Sequence, residues 1–176
     1  METPDGSMIC IINRQDKIRK EGLFMIICIG REFGSGGHEI GKCLSEGLGI
    51  PFYDHELVEK AMERSEMTLE LAKDDCVFVG RCADFVLKQQ GVRCVSLFIT
   101  APFEDRVKRK AELLDMKEKQ AVSLVRKMDK QRKAYYDYYT GGSWGRPHNY
   151  DFCINSSSLG IKETADTIET LIKSRK

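Results

Sequence analysis

From Met25 onward, five short apolar runs punctuate the chain: "MIICI", "IPFYD", "CVFV", "CVSLFI" and "YDFCIN". Each is too short for a helix, rich in β-branched or aromatic residues, and bounded by glycine, proline or polar residues, so each is predicted to be a strand. The stretches between them carry an apolar residue every three or four positions. In "HEIGKCLSEGLG", Ile40, Leu44 and Leu48 form one stripe of a helix that Gly49 closes. "HELVEKAMERSEMTLELAKDD" and "ADFVLKQQG" read as helical. Thr100 as N-cap and Pro102 in the first turn open a further helix, and a longer one runs from about Lys117 to Tyr139. A capped helix ends the chain, with Ile161, Ala165, Ile168 and Ile172 on its apolar face and Leu171 beside them. Apolar strands that alternate with helices pair in parallel and are covered on both faces, so the expected fold class is α/β, a sandwich of helices around a parallel sheet.

Residues 1–24 break this rhythm: "METPDGS" is turn-rich, "MICII" apolar and "NRQDKIRKEG" polar. They form an extension of unknown role, whether an extra strand, a native extension or an added leader, ahead of one domain over residues 25–176. An apolar content of 41% with 31% charged residues argues against disorder, and no apolar run approaches the ~18 residues that span a bilayer. Seven cysteines without CxxC spacing and no signal peptide point to a reducing, cytoplasmic setting. The net charge is only +1, yet eleven Lys/Arg face six Asp/Glu between Glu104 and Lys133. Such a local excess suits an anionic small molecule. Interspersed acids and near-neutral overall charge speak against a nucleic-acid binder.

The chemistry concentrates in "GREFGSGGHEIG", which follows the first strand and leads into a helix. In an open α/β sheet ligands bind beyond the carboxyl ends of the strands, and a glycine-rich turn there aims backbone N–H groups and a helix's positive end at an anion. Against the usual phosphate-loop pattern G-x-x-x-x-G-K-S/T, Gly36 matches the second glycine, but Gly37 stands where lysine belongs and His38 where the hydroxyl belongs. Arg31 occupies the first glycine's position and is expected to return positive charge to the phosphates.

"GREFGSGGHEIGKCL", "IPFYDHELVEKA", "VFVGRCADFVL" and "RKMDKQRKAYYDYYTGGSWGRPHNYDFCINSSSLGI" together resemble the cytidylate kinase-like proteins, relatives of the nucleoside monophosphate kinases. The resemblance runs from about Met25 to the C-terminus. It implies the three-layer, P-loop nucleoside triphosphate hydrolase-like fold with a five-stranded parallel sheet, ATP at the loop, Mg2+, a nucleotide acceptor and a helical lid over about 104–146. The lysine-free GREFGSGG loop is the distinctive part of the resemblance, whereas the segment between Asp54 and Cys76 is shorter than the acceptor-binding insert the family implies.

Gly34, Ser35, Gly36, Gly37, His38 and Glu39 are the expected ATP and phosphate contacts. By resemblance, Arg81 holds the acceptor's phosphate; as a plain strand-end arginine it would be salt-bridged. Asp54 either serves the acceptor side, as substrate or magnesium contact, or caps the following helix. Arg132 interrupts an apolar stripe of Val125, Met128, Tyr135 and Tyr139, so it must be paired or reach a cleft, and it best matches the lid arginine that meets the transferring phosphoryl group. Arg106 and Arg109 lie one turn apart and face either the acceptor or solvent. Asp129 orients an arginine or lies on the helix surface. The aromatics of "YYDYYTGGSW" pack a lid seam or stack on a base. No residue is assigned to a metal. Phosphoryl transfer by Arg31, Arg81 and Arg132 is the leading reading, and a non-catalytic nucleotide or phosphate sensor is the alternative.

Overall fold

The computed structural model describes residues 25–54, 72–80, 82–142 and 144–174. The expectations for residues 1–24, for residues 55–71 of the helix read over 55–75 and for Arg81 lie outside them, while residues 72–75 form a turn rather than the end of that helix. Strands β1 (Ile26–Arg31), β2 (Phe52–Tyr53), β3 (Cys76–Val79), β4 (Val95–Thr100) and β5 (Phe152–Asn155) form one parallel sheet in the order β2-β3-β1-β4-β5. Because β1 is central, both of its faces must be apolar. Ile27 and Ile29 pack on one side with Leu97, Ile99 and residues of helices α1 (Gly37–Leu48) and α5 (Ile161–Lys173). Ile26 and Cys28 pack on the other with Phe78 and helix α2 (Ala83–Gln89). This is the three-layer arrangement that the uninterrupted strands predicted. Truncating Ile29, which is almost wholly buried, to alanine would cost about 2–5 kcal/mol.

Helices α3 (Phe103–Leu113) and α4 (Glu118–Thr140) form a hairpin that packs through Val107, Ala121 and Val125, with Phe33 and Phe103 against them. Phe33 belongs to the glycine-rich loop, so the hairpin meets the sheet at that loop. Three local expectations are corrected. The cap of α3 is Pro102 rather than Thr100, whose hydroxyl instead donates to Glu32 Oε2 at 2.5 Å. The last helix starts after Gly160 without a side-chain cap, and Leu171 is exposed beside the buried Ala165, Ile168 and Ile172. Strand β5 is an edge, so Cys153 faces outward although its run reads as buried.

Candidate active site

Strand β1 ends at Arg31, between the carboxyl ends of β3 and β4, and residues 32–36 turn the chain into α1. The turn is held from below. The Glu32 N–H donates to Ile99 O (3.1 Å), the Ser35 N–H and hydroxyl both donate to Glu32 O (3.3 and 2.9 Å), and the Ser156 hydroxyl donates to Ser35 O (2.5 Å). Gly34 and Gly36 take left-handed φ angles of 85° and 81°, which side chains rarely adopt. The N–H groups of Gly34, Gly36, Gly37 and His38 have no acceptor among the described residues. Four donors at the positive end of a twelve-residue helix make an anion nest.

Each expected phosphate contact has a distinct position here. Gly34, Gly36 and Gly37 present N–H groups to the nest, whereas Ser35 is buried with its N–H and hydroxyl both turned inward to brace the turn. The His38 ring packs edge-on against Phe52 at 5.3 Å. Burial first, and then nearby Lys42, pulls its pKa below the ordinary value, so at neutral pH His38 offers a backbone N–H but no charge. Glu39 lies in the first turn of α1, where a carboxylate favours the helix start.

The missing lysine has a steric explanation. A Cβ at Gly37 would fall 2.6 Å from the Arg31 Cβ, and one at Gly80, in the turn after β3, would fall 1.8 Å from an Arg31 guanidinium nitrogen. Arg31 therefore runs across the mouth of α1 and ends over Gly80. A side chain at position 37 and one at position 31 exclude each other. The usual loop has glycine first and lysine seventh; this one has arginine first and glycine seventh, with the cation delivered from the strand instead of the helix.

The basic hairpin converges on the same loop, but its arginines divide the work. Arg106 is buried; its Nε donates to Ala101 O (3.0 Å), and its Nη1 donates to Phe33 O (3.2 Å) and Asp129 Oδ2 (2.5 Å), with Glu32 Oε2 at 3.4 Å. Asp129 also accepts the Phe33 N–H at 2.7 Å. Arg106 thus clamps the loop to both hairpin helices. The Arg109 Nη1 donates to Gly34 O (3.0 Å) and stands where a Cβ on Gly36 would collide with it and with Ile161. Arg109 consequently faces the loop and α5 rather than the acceptor side. Arg132 reaches the loop from α4: its Nη1 donates to Arg31 O (3.2 Å), and its guanidinium lies 5.3 Å from the centre of the Phe33 ring. Lys110 lies 4.8 Å from the same ring.

Beside Arg31 a cavity of about 730 Å³ opens between β1, the turn after β3 and α4, lined among others by Gly30, Gly80, Asp84, Arg132, Tyr136 and Tyr150. Burial raises the Asp84 carboxyl above its usual range. Burial, then the nearby Asp84 charge, pushes Tyr136 up to about 12, and burial raises Tyr150 further, so both phenols keep their protons at neutral pH. Arg81 falls between Gly80 and Cys82, both of which line the cavity, but lies itself outside the described residues. Asp54, at the end of β2, does not line the cavity, although its charge reaches His38.

The structure thus brings together Arg31, Arg132 and the loop glycines, and separates Arg106, Arg109 and Asp54 from the cavity. Glu32, Phe33, Ser156, Asp84 and Tyr150 escape a reading of the sequence. Asp84 had a signal, a carboxylate inside the otherwise apolar "ADFVL". Among the described residues, no three His, Cys, Asp or Glu side chains gather as a metal site, and no helix is long and apolar enough to cross a membrane.

Comparisons with known proteins agree with this fold. The sequence model of the cytidylate kinase-like family matches residues 26–72 and 64–158. A solved structure of an uncharacterized protein from Eubacterium ventriosum ATCC 27560 is 34% identical, with a TM-score of 0.74 over 85% of this chain and 99% of that one. Shikimate kinase from Bacteroides thetaiotaomicron is 15% identical, TM-score 0.54, over 85% of this chain and 98% of its own. The APS kinase of Mycobacterium tuberculosis, solved with AMPPNP and APS, is 17% identical, TM-score 0.54, over the same shares. At such identities these two show a common fold and nothing more. A search of curated proteins found no match.

Proposed function

Because this chain belongs to the cytidylate kinase-like family, we propose that it transfers the γ-phosphoryl group of ATP to a small-molecule acceptor, and that the acceptor is a nucleoside monophosphate of the cytidylate type. One observation carries the proposal. The Arg31 stem lies against Gly37 at the mouth of α1 and its guanidinium over Gly80, so a cation flanks a loop whose four backbone N–H groups lack a protein acceptor among the described residues.

The loop amides hold the β- and γ-phosphates, and Arg31 does the work of the absent lysine. Arg132, tied to the Arg31 carbonyl, meets charge on the phosphoryl group in flight. A monophosphate acceptor needs no general base, because its attacking oxygen is already ionised. That oxygen bonds to γ-phosphorus as the bond to the ADP oxygen breaks, and a diphosphate and ADP leave. Arg81, by its position after β3, holds the acceptor's own phosphate. Magnesium, which neutralises phosphate charge, arrives on the triphosphate and takes only one or two protein oxygens, so a dedicated cage is not required.

The test follows ADP formation with magnesium and ATP against CMP, UMP, AMP and GMP, beside calorimetric titration of ATP. Turnover on a monophosphate is expected, lost in Arg132→Ala while ATP affinity stays within about threefold of wild type. A chain that binds ATP tightly and turns over no acceptor is a sensor instead.

A further inference from the structure

Two cysteines meet on the face of the sheet that α2 covers. Cys28 on β1 stands opposite Ser96 on β4, and side chains alternate along a strand, so Cys94, two positions earlier, lies on the same face as Cys28 and one step diagonal to it. There Cys94 packs against the core cluster that holds Cys28, Phe78 and Leu87, and the Cys28 and Cys94 thiols are hydrogen-bonded to each other. Cys94 precedes the first ladder pair of β4, Val95 with Ile27, at the end of a stretch over 92–94 without regular structure. It can therefore move towards Cys28 without breaking the ladder.

The two thiols are unequal. Burial raises the Cys28 thiol well above its ordinary pKa, so it keeps its proton. Cys94 is only half-buried, and its pKa is lowered, first by the hydrogen bond from Cys28 and then, against burial, by the Lys88 cation on α2; the Asp84 and Asp151 charges oppose this. A reachable thiolate beside a cation, with a protonated thiol in contact, is the arrangement of an attacking and a resolving cysteine. Exposure alone does not select it: Cys153 faces solvent on the edge strand, yet partial burial raises its pKa. The pair also reaches the cavity beside Arg31. Cys28 and Asp84 both line it, and the Cys94 thiol donates to Asp84 O at 4.0 Å.

We propose that Cys94 and Cys28 are a peroxide-sensitive dithiol whose disulfide ties β1 to the start of β4 and deforms the wall of this cavity. The Cys94 thiolate attacks one peroxide oxygen, the O–O bond breaks, and the departing hydroxide takes up a proton to become water, leaving a sulfenic acid on Cys94. Cys28 Sγ then attacks Cys94 Sγ, the S–O bond breaks, and a second water leaves with the Cys28 proton. The thiols lose two electrons and two protons, and the peroxide is reduced to two waters. A thiol reductant reverses the bridge. Closing it draws Cys28 out of the cavity wall and takes the Cys94 donor from the Asp84 carbonyl, while the loop glycines are untouched. The effect on acceptor binding rests on the kinase reading; the dithiol chemistry does not.

The full chain is reduced, treated with hydrogen peroxide, alkylated and mapped after trypsin, which puts Cys28 and Cys94 on separate peptides. A linked Cys28–Cys94 peptide is expected, forming at least about tenfold faster than Cys153 is oxidised. Cys94→Ser should leave Cys28 reduced at the same dose, and Cys28→Ala should leave a Cys94 sulfenic acid that dimedone traps. CMP, UMP, AMP, GMP and ATP are then titrated calorimetrically into the reduced and the oxidised chain. A monophosphate that binds the reduced chain should weaken roughly tenfold on oxidation, with ATP within about threefold, and dithiothreitol should restore it; in Cys94→Ser peroxide should change neither. Trp144, the sole tryptophan, lines the same cavity, so its fluorescence reports the deformation even if no monophosphate binds and the kinase reading falls. Cys94 linked to another cysteine, or oxidised no faster than Cys153, overturns the assignment. So does a linked chain whose Trp144 fluorescence and affinities equal those of the reduced one.

Discussion

Arg31 and Gly37 make one decision between them. Their Cβ atoms would stand 2.6 Å apart, so a loop of this shape carries its cation at one position or the other. Arg31→Gly should weaken ATP by about 10- to 100-fold, the value of one or two charge-assisted hydrogen bonds. Adding Gly37→Lys to it restores the usual glycine-first, lysine-seventh arrangement and should recover most of that loss by calorimetry. Gly37→Lys alone should weaken ATP, because Arg31 must then leave its place. Asp84 supplies a prediction of opposite sign for stability. Its folded-state pKa is raised, mainly by burial, with Lys88 and the Phe85 N–H pulling it back and Asp151 adding to the rise. The folded state therefore binds more protons than the unfolded state just above the ordinary carboxylate value, and stability is lost as pH rises through the folded pKa. Asp84→Asn, which has no charge to desolvate, should be more stable than wild type at neutral pH. In urea unfolding the difference should vanish near pH ~4, the ordinary range for such a group.

At the scale of elements, the glycine-rich loop is a poor structure by itself and owes its shape to its neighbours. Its Phe33 is held by the Asp129 carboxylate on one side of the peptide and the Arg106 guanidinium on the other, with Lys110 and Arg132 over the ring. Arg106 binds three partners by hydrogen bonds while buried, and its removal leaves Asp129 without a counter-charge. Arg106→Ala should cost about 3–5 kcal/mol, and Arg106→Ala with Asp129→Ala less than the sum of the two alone, as read from a double-mutant cycle in urea. ATP affinity should fall in Arg106→Ala although no phosphate contact is assigned to that residue. An unaltered ATP affinity in that variant would falsify the clamp.

For the whole molecule, the sheet order leaves β1 in the middle with its carboxyl end open. Helices α1 and α5 cover one face and α2 the other, and the hairpin of α3 and α4 closes down on the loop. ATP bound as proposed would therefore join three parts of the chain that the sequence keeps far apart. Ligand that binds only the folded state at a hundredfold excess over its Kd stabilises by about 2.7 kcal/mol. Magnesium-ATP should raise Tm by roughly 5–10 °C for a chain of this size, and far less in Arg31→Gly. No shift in wild type would speak against a donor site at the loop.

The alternation of apolar runs with 3.6-periodic stretches was enough to dictate a parallel α/β sandwich, because a strand buried on both faces has to be apolar throughout and its crossover has to be a helix. The same local information marked "GREFGSGG" as an anion cradle and Arg132 as an arginine with business in a cleft, since a charge on an apolar stripe must be accounted for. Spacing along the chain could not say which arginine ends where. Arg106 and Arg109 look alike one turn apart, yet burial beside Asp129 makes one a clamp and contact with Gly34 makes the other a loop-facing residue. Thr100 looked like a cap until Glu32, sixty-eight positions away, claimed its hydroxyl. Asp84 and Tyr150 came to line one cavity only through the stacking of β3, β1 and β4, and why lysine is absent became visible only when the Arg31 side chain was seen filling the space above Gly37. Local sequence sets which faces must be hidden; long-range contacts decide which polar groups are left over to bind something else.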